Sequence, residues 1–279
     1  MKTTAFKRIL SLFCLITVIM TALPCAGAEE ASAFPHPYGV FLGITENLAQ
    51  FKDYETVVID AQYYPADEID AFRSEGHKIY TYLNIGSLED FRDYYDEYKD
   101  LSLGEYEHWE EEVWVDVSQQ KWQDLVLKTL VPALLEKNVD GFFVDNCDVY
   151  YEFPEQKIYD GLSVIMQALV ATGKEVIINS GDCFMDAWCE KGGKWSDVIT
   201  GINQESVFSS ILWDENKFGR QEEEDHEYFV SYVTRYGDQG AKIFLLEYST
   251  DEELIGEIDR FCKEHNYTYF VSKTLELVD

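Results

Sequence analysis

Eight short apolar runs alternate with amphipathic helical stretches across residues 38–279, and each run ends in polar or acidic residues. Strands alternating with helices imply a parallel sheet. Eight of them in about 250 residues predict a single-domain α/β chain closed into a (β/α)₈ TIM barrel. The runs are continuously apolar, as in strands buried on both faces. No Gly-x-Gly-x-x-Gly follows the first run, which removes the main support for an open dinucleotide-binding sheet.

The expected strands, in order, are residues 38–43 (YGVFLG), 56–63 (TVVIDAQY), 78–85 (KIYTYLNI) and 141–146 (GFFVDN). Residues 175–180 (EVIINS), 197–203 (DVITGIN), 241–248 (AKIFLLEY) and 267–272 (YTYFVS) complete the set. The expected helices cover residues 65–76, 119–137, 157–171 and 251–265. The first carries Ala66, Ile69 and Phe72 at helical spacing; the last carries Leu254, Ile258, Phe261 and Cys262 on one side. Residues 87–117 break the rhythm as a long insertion rich in Tyr, Trp and acid. Long loops on this fold usually shape the active-site mouth.

Ahead of the barrel, Lys2, Lys7 and Arg8 precede an apolar stretch from Ile9 to Leu23 and the A-x-A site Ala26-Gly27-Ala28. This reads as a signal peptide over residues 1–28, cleaved after Ala28, with a linker at 29–37. Pro24 before Cys25, and Ala22 where a lipoprotein signal carries Leu, argue against lipidation. The expected location is secreted and extracellular, with no membrane contact after cleavage. The expected state is a monomer.

The formal net charge is −31, and losing Lys2, Lys7 and Arg8 makes the rest more acidic still. Nucleic acid and anionic membranes would be repelled, whereas a neutral or cationic ligand, such as a polysaccharide or oligosaccharide, fits. Single acidic runs such as Glu222–Asp225 read as solvated helix faces. Cys147, Cys183, Cys189 and Cys262 lack zinc spacing, and His is sparse, so no metal and no cofactor is expected. Export permits disulfides. Cys183 and Cys189 are close enough to pair, and buried free thiols are the other reading.

In a parallel barrel the strand ends share one rim, and active sites sit there. The rim set is Asp60, Gln62, Asn84, Asp145, Asn146, Asp148, Asn179, Asn203, Gln204, Glu205, Glu247 and Tyr248. Asp145 could simply cap a strand–helix junction; its membership of the ring favours function. Asp60, Asn179 and Glu247 read equally as ligand-binding groups or as rim hydrogen-bonding groups. Strand alternation lets Asp145 and Glu247 both face the axis, without fixing which face that is. Tyr63, Tyr64, Tyr82, Trp109, Trp114 and Trp122 offer a sugar platform, though any one of them also serves as packing. Two carboxyls are what glycosidic cleavage needs: one protonates the leaving oxygen, the other attacks C1 or activates water.

The run NVDGFFVDNCDVY (138–150) resembles the fourth-strand motif of family 114 glycoside hydrolases, the endo-α-1,4-polygalactosaminidases. YLNIGSLEDFR (82–92), VWVDVSQQKW (113–122), IINSGDCF (177–184), GINQESVF (201–208) and LLEYS (245–249) agree in order. The resemblance implies a barrel cleaving α-1,4-linked galactosamine polymers, with Asp145 as nucleophile and Glu205 as acid/base. Asp60, Tyr82, Asn84, Asp148, Asn179, Glu247 and Tyr248 are the expected substrate-binding residues, with Glu247 the first replacement for Glu205. The chain departs at Gly86-Ser87, where such proteins often carry Gly-Glu. The competing function is a non-catalytic carbohydrate-binding barrel at the cell surface.

Overall fold

The computed structural model describes residues 33–278, so the expected signal peptide and its cleavage site lie outside the described residues. Eight parallel strands form one sheet in sequential order, curling into a nearly closed barrel. They are β1 (His36–Phe41), β2 (Tyr54–Ile59), β3 (Lys78–Asn84), β4 (Gly141–Asp145), β5 (Glu175–Asn179), β6 (Gly201–Glu205), β7 (Lys242–Tyr248) and β8 (Thr268–Ser272). Across the seam, Phe41 of β1 meets Phe270 of β8 edge-on at 5.3 Å. The first strand starts at His36, inside the expected linker.

The crossovers carry helices α1 (Ala66–Ser74), α2 (residues 120–136), α3 (Gln156–Ala171), α4 (Asp182–Glu190), α5 (Glu223–Gly237) and α6 (Glu252–His265). Their apolar stripes are buried as their spacing requires: Ile69 and Phe72 on α1; Leu254, Ile258 and Cys262 on α6. Helix α2 passes through a π turn at Val126–Leu130, just before Pro132. Proline has no N–H to donate and crowds the carbonyl four residues back, so the local widening relieves it. The acidic run at 222–225 opens α5, where negative side chains favour the helix N-terminus.

The barrel interior is packed. Tyr38 of β1 stands 4.7 Å from Phe244 of β7, and Tyr80 of β3 stands 6.1 Å from the same ring. Strands this far apart in the sheet can meet only through the interior. Phe244, and with it Tyr248, therefore point inward, and the face shared by Ile243, Leu245 and Glu247 points outward.

Two insertions ride on the C-terminal rim. Residues 87–115 form a three-stranded antiparallel sheet from Ser87–Glu89, Ser102–Glu105 and Glu112–Val115. Residues 209–220 form a hairpin from Ser209–Leu212 and Lys217–Arg220. The expected sixth strand was displaced: Asp197 and Val198 belong to a turn, and pairing begins only at Gly201. Val198 and Ile199 are apolar because they are buried, not because they are extended. All four described cysteines are free, so the Cys183–Cys189 pairing is not formed.

Candidate active site

Three neighbouring strands end alike. Asp145, Asn179 and Glu205 are the last residues of β4, β5 and β6. Each is followed by a non-glycine residue in the left-handed region: Asn146 (φ 65°), Ser180 (φ 54°) and Ser206 (φ 55°). Such backbone is costly for a side-chain-bearing residue and is concentrated at functional sites. Here it turns the chain off the strand at once, leaving each terminal side chain on the barrel mouth. Close approach adds to this: a Cβ on Gly86 would stand 1.7 Å from the Asn146 carbonyl oxygen, so only glycine fits beside the β4 turn.

The three side chains are joined. Asn179 Nδ2 donates to Asp145 Oδ1 at 2.9 Å and to Glu205 Oε1 at 2.6 Å. Two oxygens held on one nitrogen at those lengths cannot be more than about 5.5 Å apart, close enough for both carboxyls to flank one glycosidic bond. The orientation of Asn179 is fixed from below. Its Oδ1 accepts from Asn203 Nδ2 at 2.7 Å, and Asn203 Oδ1 accepts from the Tyr38 hydroxyl at 3.1 Å. With its oxygen so engaged, the amide must turn its N–H groups to the carboxyls.

Burial pushes the Asp145 carboxyl up, while hydrogen bonds from Asn179 and Tyr82 pull it back. Glu205 is raised by burial and then by the negative charge of Asp145, against hydrogen bonds from Asn179 and Tyr248. Tyr248 Oη donates to Glu205 Oε2 at 2.7 Å. Like charges this close cannot easily ionise together, so the pair titrates in two steps.

The pair opens into a cavity of about 540 Å³. Asp60, Tyr82, Asp148 and Tyr248 line it with Asp145, Asn179 and Glu205. Asp60 is a wall residue whose oxygens are already taken, by Arg92 at 2.6 Å and the Gln62 N–H at 3.0 Å. Arg92 also grips both oxygens of Glu89, at 2.6 and 3.0 Å, tying the inserted sheet to the end of β2. The turn after β2 is held from outside by Lys137, whose Nζ donates to the carbonyls of Ala61, Gln62 and Tyr64. Burial pushes the Asp148 carboxyl up to about 8, helped by the charges of Asp182 and Asp145.

Two expected binding residues stand elsewhere. Asn84 lies behind the wall, donating to Ser87 Oγ at 2.7 Å and accepting from the Ser87 N–H at 3.0 Å. Glu247 faces outward and is fully buried, accepting from the N–H groups of Val207, Phe208 and Ser209 and from the Ser209 hydroxyl. It anchors the loop after β6 and is not among the residues that line the cavity. Of the aromatic platform, Tyr63, Tyr82 and Trp109 line the cavity, whereas Tyr64, Trp114 and Trp122 are core. Ser87 brings no carboxyl of its own, but its hydroxyl donates to Glu112 of the inserted sheet.

Sequence reading missed Glu112, Arg92 and Glu89, and placed Asn203 on the rim without seeing that it orients Asn179. It also missed the aromatic bridge between the insertions, in which Trp213 stacks on His108 at 4.4 Å and meets Trp109 edge-on at 6.0 Å. The repeated dipeptides Asp-Asn, Asn-Ser and Glu-Ser at three successive strand ends were the available signal for the turns. Among the described residues, no group of three His, Cys, Asp or Glu side chains is arranged to hold a metal ion. No described helix is long and apolar enough to cross a membrane.

The model of the glycoside-hydrolase family GH114 matches residues 31–180, more than half of the chain. The chain belongs to glycoside hydrolase family GH114. It is therefore a glycoside hydrolase, which sets aside the binding-only barrel. A comparison with curated protein sequences gives no match. Among solved structures, the glycoside hydrolase domain of PelA from Pseudomonas aeruginosa is 17% identical with a TM-score of 0.71, covering 88% of this chain and 97% of that one. Ega3 of Aspergillus fumigatus, in complex with galactosamine, is 18% identical with a TM-score of 0.68, over 90% and 95% of the two chains. An α-galactosidase of Thermus thermophilus in complex with stachyose is 10% identical with a TM-score of 0.52, over 86% and 62%. At these identities the likeness is one of fold.

Proposed function

We propose that this GH114 chain is an exported, endo-acting hydrolase of α-1,4-linked galactosamine-type polysaccharides, working with retention of configuration. The observation that carries the reading is the Asn179-bridged carboxyl pair. Asp145 is the nucleophile. Its carboxylate attacks C1 of the bound sugar as the glycosidic C–O bond breaks, and Glu205 gives its proton to the departing oxygen. Water then attacks C1 of the glycosyl-enzyme, Glu205 takes the water's proton, and the Asp145–C1 bond breaks. The assignment follows environment. Both carboxyls are raised by burial and lowered by two side-chain hydrogen bonds each, but only Glu205 is raised further by its partner's charge, which suits it to the acid role.

The substrate class follows from charge. Eight carboxyl-bearing residues line the cavity against the single guanidinium of Arg92, which Asp60 and Glu89 already pair; with Glu205, Glu112 and Asp148 protonated, the remaining five still outweigh it. Uronates and sulfated sugars would enter against that field, and a partly de-N-acetylated galactosamine polymer would enter with it. Ega3, of similar fold, was solved with galactosamine. Exposed Tyr63 and Phe91 on one side and Trp213 on the other are surfaces for sugar faces along an open cleft, which suits internal cleavage.

The test is product analysis on a panel of amino-sugar and galactose polymers with the native chain, Asp145→Asn and Glu205→Gln. The expected result is oligosaccharides of retained anomeric configuration from the galactosamine polymer, lost in both variants, with turnover falling steeply as salt is added. Cleavage that survives either substitution refutes the residue assignment. A flat salt response removes the charge argument.

A further inference from the structure

We infer that Glu112 receives the amino group of the sugar bound beside Asp145, and so selects a free amine over its N-acetyl form. This rests on the carbohydrate cavity proposed above and names a recognition residue within it.

Glu112 does not come from a barrel strand. It opens the last strand of the inserted sheet, Glu112–Val115, and reaches back into the cavity wall. It is fixed there by neutral donors alone: the Ser87 hydroxyl, Asn84 Nδ2 at 3.4 Å and Asn146 Nδ2 at 3.5 Å. Asn146 directly follows Asp145, so Glu112 stands one residue from the proposed nucleophile. Two of its three contacts are long, which leaves acceptor capacity for a ligand.

Of the other seven carboxyls that line the cavity, Glu111 and Glu276 are exposed to solvent, and five are engaged differently. Asp60 and Glu89 share Arg92. Asp145 and Glu205 share Asn179. Asp148 accepts from the Gly181 N–H and has Asp182 beside it. Glu112 has no cation within salt-bridge distance among the described residues; its charged neighbours are Glu89 and Asp145, both negative. Burial pushes its carboxyl up to about 8. So raised, the carboxyl is largely protonated near neutral pH, and an ammonium beside it lets it ionise by supplying the countercharge it lacks. An N-acetyl group brings no charge and adds bulk, leaving Glu112 as it was. The site thus discriminates by the partner it lacks.

The test is calorimetric binding of an α-1,4-linked galactosamine tetrasaccharide and of its N-acetylated counterpart, in a Glu205→Gln background that stops turnover. The background protein is expected to bind the amine form about 10- to 100-fold more tightly, the value of a charge-assisted hydrogen bond. Adding Glu112→Gln is expected to cut that preference to under about 3-fold. Glu112→Asp, which keeps the charge, is expected to retain most of it. Three outcomes overturn the inference: a preference that survives Glu112→Gln, an equal loss in the Asp and Gln variants, or a preference abolished by Asp148→Asn in its place. Failure of the proposed reaction shows separately, as absence of cleavage by the unsubstituted enzyme, and leaves the binding comparison readable.

Discussion

Asn179 is the residue through which the two proposed catalytic carboxyls can be perturbed together. Replacing it with Ala removes two charge-assisted hydrogen bonds, 2.9 and 2.6 Å long, at a cost of about 1.5–3 kcal/mol each. Both bonds favour the ionised form of the carboxyl they reach, so both carboxyls must rise. At 1.36 kcal/mol for each pKa unit, the expected rise is about one to two units. The nucleophile must be ionised and the acid protonated, so the profile climbs through the first titration and descends through the second. Asn179→Ala therefore moves both limbs of the kcat/KM profile to higher pH by at least about one unit, and lowers kcat/KM at the native optimum about 10- to 100-fold. The assay is initial rate against pH on a soluble galactosamine oligosaccharide, with thermal melts to establish folding. Asn203→Leu, which frees the Asn179 oxygen, should move the limbs in the same direction by less. A folded Asn179→Ala protein with both limbs unmoved would refute the bridging role.

Glu247→Ala should destabilise without touching the cavity. It strands the N–H groups of Val207, Phe208 and Ser209 at about 1–3 kcal/mol each, so the melting temperature should fall by at least roughly 6 °C. Burial also raises Glu247 to about 7 and Glu112 and Asp148 to about 8, above their unfolded values. The folded chain then binds more protons than the unfolded one between those limits, so these groups add stability at pH 5 that is lost as pH rises through 7 and 8. Melts across that window should fall with pH, and a rising curve contradicts the burial argument. Trp213→Ala should raise KM more for long polymers than for short oligosaccharides, because the ring sits at the cavity edge and bridges the two insertions; equal effects on both would argue against a polymer subsite.

The eight strands were legible because parallel strands buried on both faces must be apolar throughout, and few other segments of that length are. The same rule failed at β6. Gly201–Glu205 turns Asn203 and Glu205 inward and so reads as polar, while Val198 and Ile199 ahead of it are buried without pairing. Apolarity reports burial, and burial coincides with a strand only where the interior has no work for polar groups. Glu247 failed for the converse reason. A carboxyl at a strand end looks the same in sequence whether it faces the axis or the loop behind, and only the inward packing of Phe244 decides between them. Glu112 lay beyond reach because strands of three or four residues in the insertion carry no period long enough to read, and Arg92 because it sits in the bend after Ser87–Glu89, outside any element.

The insertion supplies what the strand ends lack. The strand ends that line the cavity carry acids and amides, and the guanidinium that neutralises Asp60 arrives from Arg92, in the insertion after β3. The carboxyl at Ser87 arrives from Glu112, at the insertion's far end. Tyr106, between them in sequence, donates to Asn146 at 3.0 Å and stacks on Trp114 at 4.0 Å, so the inserted sheet and the β4 turn are built against each other. The barrel sets the distance between Asp145 and Glu205, and the insertion adds Glu89, Arg92, Glu111 and Glu112 to the lining of the space in front of them. On the roles proposed above for Asp145, Glu205 and Glu112, reaction type and substrate preference would be carried by different stretches of chain. Changes at Asn179 should alter how fast any bound sugar reacts, and changes at Glu112 should alter which sugar is bound.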